Sequence, residues 1–119
     1  MDAERFLSAY KQAWETRDAD LAASLFTEDA RYWETPFGEP LRGREGVRRY
    51  WQAATSTQES IHFTAGEPLT VGSTLIAEWK CTYRHRPSGS QRELAGVLLV
   101  EFAGEAVRLF REYWHRRVL

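Results

Sequence analysis

Three polar side chains in this sequence are candidates for proton chemistry. The phenol of Tyr10 could donate a hydrogen bond to a carbonyl oxygen, and the imidazole of His115 could act as a general base. The carboxylate of Glu112, next to Arg111, could activate water together with a residue of another strand. The structural alternatives are a core tyrosine, a surface histidine and cross-strand ion pairs. The sequence favours these alternatives and leaves the catalytic roles open.

The sequence contains no pattern for a metal or a cofactor. His62, His85 and His115 fall on three different predicted strands, and none has a second histidine at ligand spacing. Cys81 is the only cysteine, so no disulfide can form within the chain, and we expect a buried thiol in a reducing, cytoplasmic protein. The glycines are scattered singly, which gives no phosphate-binding loop. We therefore predict no metal and no cofactor.

The overall charge argues against nucleic acid and membranes as partners. The 119 residues include 16 Lys and Arg and 17 Asp and Glu, for a formal net charge of -1. Such a chain has no basic field that would attract polyanions. No apolar run approaches the roughly 20 residues of a membrane span, and the polar N-terminus does not look like a signal peptide. We expect one domain, 1–119.

Apolar residues in the first half of the chain recur mainly at helical spacing, which predicts helices there. The spacing predicts a first helix capped by Asp2 and a second helix capped by Asp18. A short aromatic strand over 30–35 ends at Pro36, and a third helix begins at Arg44. The apolar stripes of the three helices are Phe6, Leu7, Tyr10, Ala13 and Trp14; Leu21, Ala22, Leu25 and Phe26; and Val47, Tyr50, Trp51 and Ala54.

After Thr57 the pattern changes to strands. Over 75–85 apolar and polar residues alternate, which places the apolar side chains on one face of a strand and the polar side chains on the other. Turn residues follow at 87–90. The segment 94–102 is apolar on nearly every residue, which predicts cover on both faces. A last strand runs over 107–115. This order predicts an α+β fold, a cone-shaped barrel with three N-terminal helices packed on a strongly curved, mainly antiparallel sheet. The apolar outer face predicts a homodimer.

Several local motifs resemble the SnoaL-like and ketosteroid-isomerase-like proteins of the nuclear transport factor 2-like superfamily. The matching segments are Leu25-Phe26-Thr27-Glu28-Asp29-Ala30, Glu34-Thr35-Pro36-Phe37-Gly38-Glu39-Pro40, Gly43-Arg44-Glu45-Gly46-Val47 and Arg111-Glu112-Tyr113-Trp114-His115. The resemblance covers essentially the whole chain. It implies the fold more strongly than a function, because this fold carries isomerases, cyclases, dehydratases, epoxide hydrolases, binding proteins and transport factors.

The resemblance also implies positions for the groups of a ketosteroid isomerase. Tyr10 falls at the position of the first-helix tyrosine that helps to form the oxyanion hole. Thr35 stands where the carboxylate base would be, and a threonine hydroxyl cannot take a proton from carbon near neutral pH. Leu98 stands near the position of the protonated aspartate. With two of the three groups missing, isomerisation by that mechanism is not expected.

The aromatic residues are the best functional signal. The sequence has five Trp, five Tyr and six Phe, and in this fold many of them would surround the cone. The predicted ligand-binding residues are Tyr10, Trp14, Trp33, Thr35, Phe37, Trp51, Phe63, Trp79 and Trp114. We expect a pocket for a small hydrophobic or aromatic molecule, with or without catalysis of the isomerase, cyclase or lyase type. The alternatives are a non-enzymatic protein-interaction module and a water-activating hydrolase that uses Glu112 or Arg111.

Overall fold

The computed structural model describes all 119 residues and contains three helices and seven strands. In chain order the elements are α1 (Ala3–Glu15), α2 (Ala19–Ser24), β1 (Phe26–Trp33), β2 (Leu41–Arg42), α3 (Gly43–Thr55), β3 (Gln58–Ala65), β4 (Leu69–Val71), β5 (Thr74–His85), β6 (Gln91–Ala103) and β7 (Ala106–Val118). No helix combines the length and the apolar character that a membrane span needs.

The two predicted helix caps are present. The carboxylate of Asp2 accepts a hydrogen bond from the Arg5 amide at 2.8 Å, and Asp18 caps α2 in the same way through the Leu21 amide at 2.9 Å. The prediction that α2 extends to Phe26 is wrong. The helix ends at Ser24, and Phe26 opens β1 opposite Val107, because a strand position there satisfies its backbone in the sheet.

The helices pack on one face of a single mixed sheet, as predicted. The strand order is β2-β1-β7-β6-β5-β3, with β4 paired to β5. Only β1 and β7 run parallel, and every other pair is antiparallel. The sheet curves around α1 without closing. Two strands are longer than the sequence indicated, since β1 already begins at Phe26 and β7 continues to Val118.

The register of the three long strands fixes which side chains face the helices. Positions two residues apart share a face, so each inward row crosses β5, β6 and β7. Three successive inward rows are Leu75, Val100 and Phe110; Ala77, Leu98 and Glu112; and Trp79, Gly96 and Trp114. The first row is fully buried, and the other two lead toward the open end of the cone. The side chain of Glu112 therefore faces the interior, because it belongs to one of these inward rows.

Aromatic rings fill the space between α1 and the sheet. Tyr10 lies at the centre of this packing, with ring centroids 5.3 Å from Phe63, 5.5 Å from Trp51 and 5.7 Å from Phe110. These spacings are those of offset-stacked and edge-to-face pairs, which stabilise beyond the area they bury. The predicted core stripe of α1 is therefore correct.

Gly96 is the one glycine of the long strands that is needed because of a close approach. A Cβ atom at this position would collide with the backbone oxygen of Tyr113 and would lie 2.8 Å from the Cβ of Trp114. Trp79 flanks the same position on the other side. Because Gly96 has no side chain, Trp114 can pack close to the backbone of β6. Gly96 therefore helps to position Trp114 as one wall of the cone.

We expect the substitution Gly96→Ala to destabilise the fold by about 1–3 kcal/mol, because overpacked sites force backbone shifts of this cost. Urea unfolding followed by far-UV circular dichroism measures the change. Gly66→Ala is the matched control, since a Cβ there meets its nearest atom, the Glu78 oxygen, at an ordinary 3.8 Å. Equal stability of the two variants would show that the close approach at Gly96 is not a constraint.

Candidate functional site

The open end of the cone contains a small cavity with mostly aromatic walls. Its volume is about 100 Å³. The walls come from the ends of α1, α3 and the four strands β3, β5, β6 and β7. The lining residues are Trp14, Tyr50, Trp51, Ala54, Gln58, Trp79, Tyr83, Leu94, Glu112, Trp114 and Arg116.

Hydrogen bonds hold two of the tryptophan walls in place. The indole N–H of Trp14 donates to the side-chain oxygen of Gln58 at 2.8 Å, inside the core. The indole N–H of Trp114 donates to the backbone oxygen of Glu34 at 2.9 Å, which ties β7 to the loop after β1. Such bonds fix the orientation of the rings, so these walls are built before any ligand arrives.

Two further tryptophan walls carry buried donors without a hydrogen-bond partner. The indole nitrogens of Trp51 and Trp79 are buried and bond to no oxygen or nitrogen of the chain. Both rings stand edge to face against Trp14, with centroids at 5.2 and 5.6 Å. Aromatic faces are weak acceptors for such N–H groups.

The buried carboxyl group of Glu112 is the polar centre of the cavity. Glu112 is only 5% exposed, and its one hydrogen bond within the chain comes from the hydroxyl of Tyr32 at 3.3 Å. Burial raises the pKa of this carboxyl to about 8, and the neighbouring negative charge of Glu34 contributes further, while the Tyr32 hydroxyl lowers the pKa. At neutral pH the carboxyl therefore holds its proton and can donate a hydrogen bond.

The tyrosines around Glu112 remain neutral at every ordinary pH. Burial, followed by the charge of Glu112, raises the pKa values of Tyr10, Tyr32 and Tyr50 above their usual range. The hydroxyl of Tyr10 is buried and has no hydrogen-bond partner. The phenols can therefore serve as hydrogen-bond donors but not as bases.

The structure brings part of the predicted ligand set together. Trp14, Trp51, Trp79 and Trp114 line the cavity. Tyr10 is fully buried beneath it, in contact with Trp14 and Trp51. Phe63 lies deeper still, packed against Tyr10 and stacked on Trp79 at 6.0 Å. These last two residues support the walls from behind.

Three predicted ligand residues lie elsewhere. Trp33 is on the outer side of β1, under the guanidinium group of Arg111 at 5.7 Å, because Tyr32 takes the inward position. Thr35 lines a neighbouring hollow of about 250 Å³, which Glu112 also borders. Phe37 is 81% exposed, since the loop after Pro36 directs its side chain away from the cone.

The polar candidates on β7 lie on opposite faces of the sheet because successive residues of a strand alternate. Glu112 faces inward, which corrects the expectation of a cross-strand ion pair for this residue. Arg111 faces outward and pairs with Glu101 at 3.7 Å, as expected for a solvated face. His115 is also on the outer side, opposite Ala95, and does not reach the cavity. No group of three His, Cys, Asp or Glu side chains is arranged to hold a metal ion.

Several residues of the site are not predicted from the sequence. Gln58, Leu94 and Arg116 line the cavity, as does Tyr50, which was placed only on a helical stripe. Alternation from Phe110 through Glu112 and Trp114 to Arg116 was the available signal on β7. No sequence signal indicates Gln58, because its role depends on a hydrogen bond with Trp14 that forms only when β3 approaches α1.

Comparisons with known proteins agree with this geometry. The fold is an open α+β cone, and the family model of the SnoaL-like domain matches residues 6–110. The chain therefore belongs to the SnoaL-like domain family. No functionally curated protein matches the chain significantly.

Several solved structures share this fold. A hypothetical protein of ketosteroid isomerase-like fold from Catenulispora acidiphila, in complex with trimethylamine, is 19% identical with a TM-score of 0.81, over 90% of this chain and 82% of that one. The epoxide hydrolase/cyclase-like enzyme SalBIII, involved in pyran ring formation in salinomycin, is 15% identical with a TM-score of 0.84, over 98% and 95%. An LEH-like epoxide hydrolase from M. tuberculosis is 15% identical with a TM-score of 0.76, over 93% of this chain and 80% of that one. At these identities the likeness shows the fold alone.

The raised pKa of Glu112 predicts a specific pH dependence of stability. Between its ordinary value of 4.5 and about 8, the folded protein binds a proton at this site that the unfolded chain has released. The free energy of unfolding therefore falls as the pH rises through this window, by about 1.4 kcal/mol for each pH unit. The unfolding temperature of Glu112→Gln should not show this decline between pH 4.5 and 8, and at pH 8 it should be higher than that of the wild type.

Glu67→Gln is the matched control, because Glu67 is exposed. Its unfolding temperature should follow that of the wild type at every pH. A Glu112→Gln variant whose pH profile parallels the wild type would contradict a buried, protonated Glu112.

Proposed function

We propose that the chain binds a small organic molecule in the aromatic cavity, with the carboxyl group of Glu112 as its polar anchor. The observation that carries this proposal is the combination of tryptophan walls with one deeply buried acid. Burying a carboxyl group with a single hydrogen bond costs free energy, and acids with such perturbed pKa values cluster at functional sites. An apolar cavity with a single convergent polar group is the usual construction of a small-molecule site.

The dimensions of the cavity favour a compact ligand. Sites for drug-sized molecules have about 300–1,000 Å³, and an apolar cavity of about 150 Å³ accommodates benzene. The 100 Å³ here suits a molecule with only a few non-hydrogen atoms. This narrows the expected small hydrophobic or aromatic molecule to a compact one. The trimethylamine bound by the Catenulispora protein is a molecule of that kind.

Catalysis in this cavity would use the carboxyl group of Glu112 as a general acid. A carboxyl with a pKa of about 8 is protonated at neutral pH and can donate its proton to a carbonyl or ether oxygen. A water-activating hydrolase is less well supported, because a protonated Glu112 is not a base and Arg111 points away from the cavity.

A pair of variants on α3 tests the binding site. Ala54 lines the cavity, and Ala53 is its exposed neighbour on the same helix. A library of compact fragments is screened by ligand-observed NMR against the wild type. We expect Ala54→Phe to fill the cavity and to abolish binding, and Ala53→Phe to bind as the wild type does. Fragments that bind both variants equally well, or a wild type that binds none, would refute the proposed site.

We further propose that a second copy of the chain covers the outer face of the sheet. The outward rows of β5, β6 and β7 place Ile76, Val97, Leu99 and the 47% exposed Tyr113 together. Charged residues such as Lys80 and Glu101 surround them. An apolar centre with a charged rim is typical of an interface, and a two-fold axis would let the same face pair with itself.

Sedimentation velocity tests this interface. Val97→Lys places a charge at the centre of the apolar rows and should convert a dimer into a monomer. Ala103→Lys, at the exposed end of the same strand, should leave the dimer intact. A wild type that sediments as a monomer with this face exposed would instead favour the alternative of a protein-interaction module that docks a different partner.

A further inference from the structure

The walls of the cavity combine two kinds of group that recognise a positive charge. Aromatic faces attract cations through the negative potential above the ring, and this attraction grows when water is excluded. Six aromatic side chains line the cavity, and Glu112 is its only acid. The aromatic lining residues are Trp14, Tyr50, Trp51, Trp79, Tyr83 and Trp114.

We infer that the ligand is a compact alkylammonium cation, held against the tryptophan faces with the carboxylate of Glu112 as its counter-ion. This inference rests on the proposed binding site and specifies the chemical class of its ligand. A cavity of about 100 Å³ matches a tetrahedral ammonium group with short alkyl substituents better than a flat ring system. Apolar methyl groups can contact the rings while the charge lies near the carboxylate.

The groups around Glu112 favour a cation over a neutral molecule. Glu34 is close enough to raise the pKa of Glu112, so the site carries a second source of negative potential. Tyr10, Tyr32 and Tyr50 are neutral, and the cross-strand neighbour Leu98 is apolar. No buried positive charge in the cavity therefore neutralises the carboxylate once it has lost its proton.

Three groups of the site would favour an anionic ligand: the guanidinium group of Arg116 and the indole N–H groups of Trp51 and Trp79. Arg116 lies on the cavity wall, but its side chain is exposed, so water screens its charge. The indole N–H groups of Trp51 and Trp79 have no oxygen partner. These indole groups are uncharged, and both rings stand edge to face against Trp14, so they supply no positive charge that would attract an anion.

Binding of a cation is linked to release of a proton from Glu112. A positive charge beside the carboxyl favours the ionised form and lowers its pKa. In the free protein this pKa is about 8, so at pH 7 most molecules must lose the proton when the cation enters. The affinity should rise about tenfold per pH unit below pH 8 and level off above it.

The test uses three probes of one shape and different charge: tetramethylammonium, the neutral 2,2-dimethylpropan-1-ol and the anion pivalate. Titration calorimetry at pH 6, 7, 8 and 9 measures each affinity, and buffers of different ionisation enthalpy count the protons released. We expect tetramethylammonium to bind most tightly at pH 9, with a tenfold loss per pH unit below pH 8. Glu112→Gln should weaken the cation at least tenfold at pH 9 and remove its pH dependence.

Two results would overturn the inference in different ways. If the alcohol or pivalate binds as tightly as the cation and Ala54→Phe still blocks it, the cavity is a binding site but not one for cations. If none of the three probes binds, the inference also fails, and the fragment screen decides separately whether the cavity binds anything. Binding of the cation that survives Ala54→Phe would place it outside the cavity and would likewise contradict the inference.

Discussion

The desolvation of one carboxyl group is the constraint on which the whole site depends. Glu112 is 5% exposed at the open end of the cone, and its only hydrogen bond comes from Tyr32. A charge there would be expensive, so the group keeps its proton up to a pKa of about 8. The aromatic walls that exclude water from Glu112 are also the surfaces that a ligand would contact. The chemistry of the acid and the shape of the cavity therefore have the same cause.

The walls are held by contacts that reach across the molecule. Trp14 on α1 bonds to Gln58 on β3, and Trp114 on β7 bonds to the loop after β1. Gly96 contributes by the absence of a side chain, because Trp114 occupies the room that a Cβ would need. A ligand would thus enter a cavity whose rings are already oriented, which reduces the entropy lost on binding.

The fold itself carries little information about the activity. Solved structures of similar fold include a hypothetical protein of ketosteroid isomerase-like fold, an epoxide hydrolase/cyclase-like enzyme and an epoxide hydrolase, so the fold alone does not define an activity. The resemblance to ketosteroid isomerases implies that Thr35 stands at the position of the base and Leu98 near that of the protonated acid. Glu112 lies directly opposite Leu98 on the neighbouring strand. The cone thus still contains a protonated carboxyl, which a different strand supplies.

The sequence by itself determined the elements and the aromatic character of the cone. Helical spacing placed Tyr10 and Trp14 in the core, and Asp2 and Asp18 were recognisable caps, because these signals are local. Only the tertiary structure decided which strand residues face inward. A shift of one residue reverses every assignment on a strand, and this is why Glu112 lies in the cavity while Arg111 and His115 lie outside it. The protonation of Glu112 is likewise a tertiary property, since it depends on burial beside Tyr32 of β1 and aromatic side chains of α3 and β5, which are distant in sequence and meet only in the folded chain.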